Sequence, residues 1–173
     1  MTTAISFRDL ALSPLLQGLR NVHHIISKGQ AHAAAQSHDP NDYLNASLHP
    51  DMKDFIYQIQ RFTDAAKFAP VRVNPANPSI SLPDTEKTFE ECLARVEKVI
   101  KYLESIEVGS FEGREKEEVV MKNGGSEWKF TALEYVMTVV HPNFWFHVTT
   151  TYAILRMKGV DIGKMDFLKG KQA

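Results

Sequence analysis

In the stretch HPNFWFHVTTTYAILRMKGV, residues 141–160, two histidines and an asparagine interrupt an otherwise apolar run. Imidazole titrates near neutral pH and is also a strong ligand for zinc, nickel or iron, so its placement decides what chemistry is on offer. A regular helix advances 100° per residue. His141 lies six residues before His147, about 120° around the axis, so the two cannot share one ligand. Asn143 lies on the face of His147, and so do Val136, Val140, Phe144, Thr150, Thr151 and Ile154, all within about 60° of it. That face is apolar at both ends and polar in the middle, at Asn143, His147, Thr150 and Thr151. A polar group buried without a partner costs roughly 1–3 kcal/mol. Such a cluster must therefore bond to itself, to water, to a neighbouring helix or to a ligand. Two readings stay open: a satisfied structural network, or a pocket between helices of the kind that bundles build from inward-facing side chains.

The elements that must position this face are helical. Leu12, Leu15, Leu16, Leu19, Val22, His23 and Ile26 recur at helical spacing and predict a helix over about 7–28, irregular at Pro14, with a short extension through AHAAAQ. The turn-rich SHDPNDYLNASLHPD allows one short helix near Tyr43. A second main helix is expected from Met52 to about Phe68, with Phe55, Ile59, Phe62 and Ala66 as its stripe. VRVNPANPSISLP, preceded by Pro70, reads as a loop crossing one end of a bundle. The third helix opens at Pro83 or Asp84, carries Phe89, Leu93, Val96, Ile100 and Leu103 on its apolar face, and stops before Gly109. EEVVMKNGGSEWKFT is the clear β signal, two short runs joined by Asn123-Gly124-Gly125. The last helix runs from about Thr131 to Lys158, and GVDIGKMDFLKG follows as an extended tail packing Phe167 and Leu168 on the bundle. The predicted fold is all-α: a four-helix bundle with a β-hairpin before the last helix, as one domain over 1–173.

Composition narrows the function classes. The chain has 173 residues, 43% hydrophobic and 24% charged, as in ordinary soluble domains. A formal net charge of −1 provides no bulk attraction for nucleic acid or an anionic membrane. No apolar run reaches the roughly 18 residues of a membrane span. MTTAISFRDLALSPLL lacks the basic start and uninterrupted apolar core of a signal peptide, so a reduced, cytoplasmic setting is expected. The single cysteine, Cys92, excludes an internal disulfide and a thiolate cluster, and its helical context reads as core packing. Phosphate-loop, nucleophile-elbow and zincin motifs are missing. Of the other histidines, His32 and His49 lie near helix ends where they could approach a pocket mouth, and His49 with Asp51 has the spacing of a nonspecific chelate. His23 reads as partly buried, His24 and His38 as exposed.

The segment PNFWFHVTTTYAILRMKGVDIGKMDFL resembles the DUF1993 family of the DinB/YfiT-like superfamily. DYLNASLHPDM, TFEECLARVEKVIKYLE with the FEG that follows, and the hairpin ending in KFT add to the likeness, which spans nearly the whole chain. The resemblance implies an up-down-down-up four-helix bundle and assigns no activity. Many members of the wider superfamily hold a divalent ion with three histidines, one from the second helix and two as HxxxH on the last, and act as thiol transferases or isomerases. Leu155, Arg156 and Gly159 match the residues that follow that pair, which places His147 on its second histidine. Asn143 then stands on the first, and Gln58 on the second-helix position. Carboxamide oxygens are poor ligands for zinc or nickel.

The preferred expectation is therefore a small-molecule pocket without a tightly held cofactor. His147 would act there as general acid/base, with Gln58, Asn143, Thr150 and Thr151 binding the ligand. The alternatives are a zinc- or nickel-dependent transferase or isomerase that retains His147 as ligand, and a non-catalytic protein that forms a homodimer through an apolar helix face.

Overall fold

The computed structural model describes residues 5–172; Met1–Ala4 of the N-terminal stretch read above, and Ala173, lie outside them. Helix α1, Phe7–Ala35, starts where the Ser6 hydroxyl accepts the Asp9 amide. It runs unbroken through Pro14 and past Lys28, so the expected extension belongs to one helix. Proline has no N–H for the carbonyl four residues back. Here that carbonyl, on Leu10, accepts a hydrogen bond from His141 Nε2 at 3.1 Å. The helix stops where Ser37 turns left-handed (φ 55°) and His38 N–H returns to the Ala33 carbonyl.

A short α2, Asn41–Leu44, precedes α3, Phe55–Val73. Helix α3 begins later than expected because the Asp54 side chain caps the Tyr57 amide, and it passes through Pro70 to take in Val71–Val73. Helix α4, Phe89–Glu104, starts at a capping box in which Thr88 and Glu91 satisfy each other's backbone, several residues beyond the expected Pro83 or Asp84. Strands β1, Glu118–Asn123, and β2, Ser126–Thr131, pair antiparallel from Glu118↔Thr131 to Asn123↔Ser126. Gly124 and Gly125 make the turn with positive φ at both positions. The last long helix consists of α5, Ala132–Tyr135, a π-helical turn over Val136–Val140, and α6, His141–Met157. The tail is not extended: it forms α7, Lys164–Lys169. Phe167 does pack, against Trp145 and Tyr152 at 5.9 and 5.8 Å, whereas Leu168 is exposed.

Side-chain contacts fix how the long helices run. Arg8 reaches the Ile106 carbonyl at one end of α1 and Gln30 reaches Glu90 at the other, so α1 and α4 are antiparallel. Leu10 meets His141, and Gly29 meets Leu155, so α1 and α6 are parallel. Gln58, Phe62 and Arg72 meet His147, Phe144 and Tyr135 in turn, so α3 and α6 are antiparallel. Leu12, Leu15, Leu19, Phe62, Val96 and Phe144 fill the middle of the resulting core. Among the described residues, no helix is long and apolar enough to cross a membrane.

The connection from α3 to α4 lies back along α4, where Tyr102, Lys98 and Arg95 bond the carbonyls of Pro78, Ser81 and Pro83 in turn. Arg95 is 3% exposed. Its guanidinium also meets Thr63 Oγ1 (2.8 Å), Glu86 (2.9 Å), Asp84 (3.0 Å) and Asp64 (3.2 Å). A buried charge needs partners of this number and quality.

Candidate functional site

Of the residues singled out in the sequence, Gln58 and His147 do meet. Gln58 is 2% exposed on the second turn of α3, and its Oε1 lies 2.7 Å from His147 Nδ1 on α6. The Gln58 amide is oriented by its other end: Nε2 donates to the Lys53 carbonyl at 3.0 Å. A carbonyl only accepts, so Nε2 must face Lys53 and Oε1 must face the imidazole. His147 Nδ1 therefore carries the hydrogen and Nε2 carries the lone pair.

The His147 ring is half-buried, edge-on to Phe146 (centroids 5.1 Å apart) and Tyr57 (6.2 Å). Burial, reinforced by the Arg61 guanidinium, pushes its pKa down to about 4, so the ring is neutral at physiological pH. Nε2 has no hydrogen bond among the described residues. It is not sealed either: the one described side-chain N or O that is both sealed and unpartnered is Arg61 Nε. Arg61 sits one turn beyond Gln58 on α3, stacks over Tyr57 at 5.1 Å, and pairs with Asp64 (3.1 Å) and Asp84.

The other three residues of the polar face stand differently. Thr150 and Thr151 are buried, but each hydroxyl donates to a carbonyl of its own helix, Phe146 and His147 respectively, at 2.8 Å. Asn143 is exposed, not inward. It lines an open trough of about 520 Å³ with Met121, Trp128, Thr138, Val139, Pro142 and Phe146. His141 faces α1, with its pKa lowered by burial, and serves the Leu10 carbonyl. His49 bonds Asp51 at the surface, His23 meets Glu97 at 3.1 Å, and His24 is half-buried beside Asp166. Cys92 is a core residue whose thiol burial pushes up to about 12.

Arg61, Tyr57 and Arg95 were not flagged from sequence. Arg61 and Gln58 share a face at i, i+3, a weak signal that a lone helix arginine does not raise above solvated charge. Nothing local marks Arg95, because its partners come from α3 and from the α3–α4 connection.

A family model described as a domain of unknown function, DUF1993, matches residues 7–168. The chain belongs to the DUF1993 family. Among solved structures, it is similar to the crystal structure of a DinB family member protein from Shewanella denitrificans. The TM-score is 0.86 at 30% identity, covering 93% of this chain and 90% of that one. No curated protein matches the chain. The DUF1993 chain carries amides, Gln58 and Asn143, where the resemblance places two of the wider superfamily's three histidines. Among the described residues one imidazole, His147, stands at the α3–α6 seam, the residue facing it is an amide that engages Nδ1, and Asn143 lies outside. Among the described residues, no three His, Cys, Asp or Glu side chains converge as metal ligands. The residues present do not fit a three-histidine ion.

Proposed function

We propose that the protein is a small-molecule-binding member of the DinB-like up-down-down-up bundles, working as one domain in the cytoplasm. Its ligand sits at the α3–α6 seam. The reading rests on the relay from the Lys53 carbonyl through Gln58 to His147, which presents a neutral imidazole with a free Nε2 acceptor. The matching ligand group is a weakly acidic hydroxyl, such as a phenol, donating to Nε2 beside the Arg61 charge. Proton transfer to Nε2 is the catalytic form of this reading. It requires the ligand's own negative charge to stabilise an imidazolium that burial of the ring disfavours. Gln58 sets the tautomer, Thr150 and Thr151 hold the helix backbone beneath the ring, and Asn143 offers its amide to parts of the ligand that reach the open trough.

Nitrogen-detected NMR of the histidines, with a thermal-shift screen of phenols, tests the proposal. We expect an Nδ1–H tautomer for His147 and hits that vanish in His147→Gln. An Nε2–H tautomer, or hits unaffected by that change, would overturn it. A second reading, a homodimer, draws on Trp128 and Phe146, 49% and 56% exposed on one trough. Sedimentation of Trp128→Glu against the parent chain tests it, a dimer dissociating and a monomer unchanged.

A further inference from the structure

A cavity of about 370 Å³ opens where the last turns of α1, the segment leading into α2, and the start of α4 meet. It is separate from the His147 seam and lies within the size range of small-molecule sites. Its floor is apolar: Ala33, Leu44 and Phe89 are all buried. Its walls carry one ammonium, Lys87, one carboxylate, Glu90, and the imidazole of His38.

The left-handed turn that ends α1 sets where that imidazole emerges. Ser37, immediately before it, is the one non-glycine residue with positive φ among the described residues. His38 Nδ1 bonds the Tyr43 phenol at 2.8 Å, and Tyr43 is almost wholly buried. The ring is thereby held by one nitrogen, while Nε2 has no hydrogen bond among the described residues. Lys87 makes no ion pair among them either, so its charge is available. Glu90 bonds Gln30, and hydrogen bonds from its own backbone N–H and from Thr88 hold its carboxyl below the usual range, which keeps it anionic.

We propose that this cavity binds a small zwitterion with an apolar side chain, of the class of a free branched or aromatic α-amino acid. The ammonium lies on Glu90, the carboxylate on Lys87 and His38 Nε2, and the side chain on Ala33, Leu44 and Phe89. A bare anion of the same shape would meet Glu90, and a bare cation would meet Lys87. The wall therefore selects a ligand carrying both charges.

The test is NMR titration of the ¹⁵N-labelled full chain with L-leucine and with its one-charge analogues, isocaproate and isoamylamine. Leucine should shift the amides of Ala33, Leu44 and Phe89 and bind about tenfold tighter than either analogue. Lys87→Met and Glu90→Gln, both at exposed positions, should each weaken leucine by about tenfold. Ala34→Leu, which fills the cavity without altering its charges, should abolish all three titrations. Leucine that leaves these amides unmoved, binds no tighter than both analogues, or is indifferent to Lys87→Met and Glu90→Gln would overturn the proposal.

Discussion

Replacing Gln58 by glutamate changes one atom of the relay and reverses what His147 faces. The wild-type ring donates Nδ1–H to a neutral amide oxygen at 2.7 Å, and its pKa lies at about 4, below the ordinary 6.5. Between those values the unfolded chain takes up a proton that the folded chain refuses. The stability this contributes is therefore full above pH 6.5 and is lost as the pH falls towards about 4. The shift corresponds to a ceiling of ~3 kcal/mol. Because water reaches a half-buried ring, ~1–2 kcal/mol is the figure to expect. A carboxylate in place of the amide oxygen favours the imidazolium and raises the pKa. The substituted side chain also lacks the donor to the Lys53 carbonyl and sets two acceptors face to face, a cost of about 1–3 kcal/mol near neutral pH. Gln58→Glu should therefore be less stable near pH 7 and less sensitive to acid below pH 6. Titration of the His147 ring proton by ¹H–¹³C NMR in both proteins, with urea unfolding at each pH, measures the two effects. Identical midpoints in the two proteins, or a wild-type midpoint near 6.5, would refute the reasoning.

Three further substitutions test the packing that holds the seam in place. His141→Leu leaves the Leu10 carbonyl without a donor and should cost ~1–2 kcal/mol; in a Pro14→Ala background the restored amide takes that carbonyl, and the penalty should shrink towards zero. Additive losses in that double-mutant cycle, read by urea unfolding, would remove His141 from this role. Gly18→Ala gains about 1 kcal/mol of helix propensity but places a Cβ 2.6 Å from Phe144 Cε1 and 2.8 Å from Trp145 Cη2, so a net loss of ~1–2 kcal/mol is expected and a raised Tm would contradict it. Arg95→Met strips Asp64, Asp84 and Glu86 of their shared cation and should cost ~3–5 kcal/mol, with protease cleavage appearing in the α3–α4 connection; an intact connection at unchanged stability would show that the cluster holds without it.

The sequence made the helices, the hairpin and its Gly124-Gly125 turn legible because each depends on neighbours within about one turn. The start of α4 shows where that stops. Asp84 and Glu86 look like a helix's acidic first turn, yet their carboxylates are engaged by Arg61 and Arg95, and the chain waits for Thr88. The pattern Thr88-x-x-Glu91 was a readable capping box, whereas the claims on Asp84 and Glu86 come from a tertiary network that no local window contains. Pro14 misleads in a similar way. It signals an irregular helix, but its missing hydrogen bond is made good from 127 residues away by His141.

The candidate site was legible in part for a geometric reason. The sequence reading centred the inward face of the last helix on His147, giving Asn143 and Thr151 equal standing on either flank. Around the first turns of α6 the buried residues are Phe144 and Val148, which lie about 60–100° to one side of His147, whereas Thr150 and Ile154, on its other side, are buried only further along the helix. Large apolar side chains decide which way a helix turns its face, because each buries far more surface than a polar neighbour can offset. At the start of α6 that face leaves Asn143 in solvent and His147 at the margin, where one nitrogen meets a fixed amide from α3 and the other stays open. A margin is where an acceptor is of use to a ligand. At the centre of the seam Nε2 would be sealed, and on the outer face Nδ1 would meet only water and neither tautomer would be held.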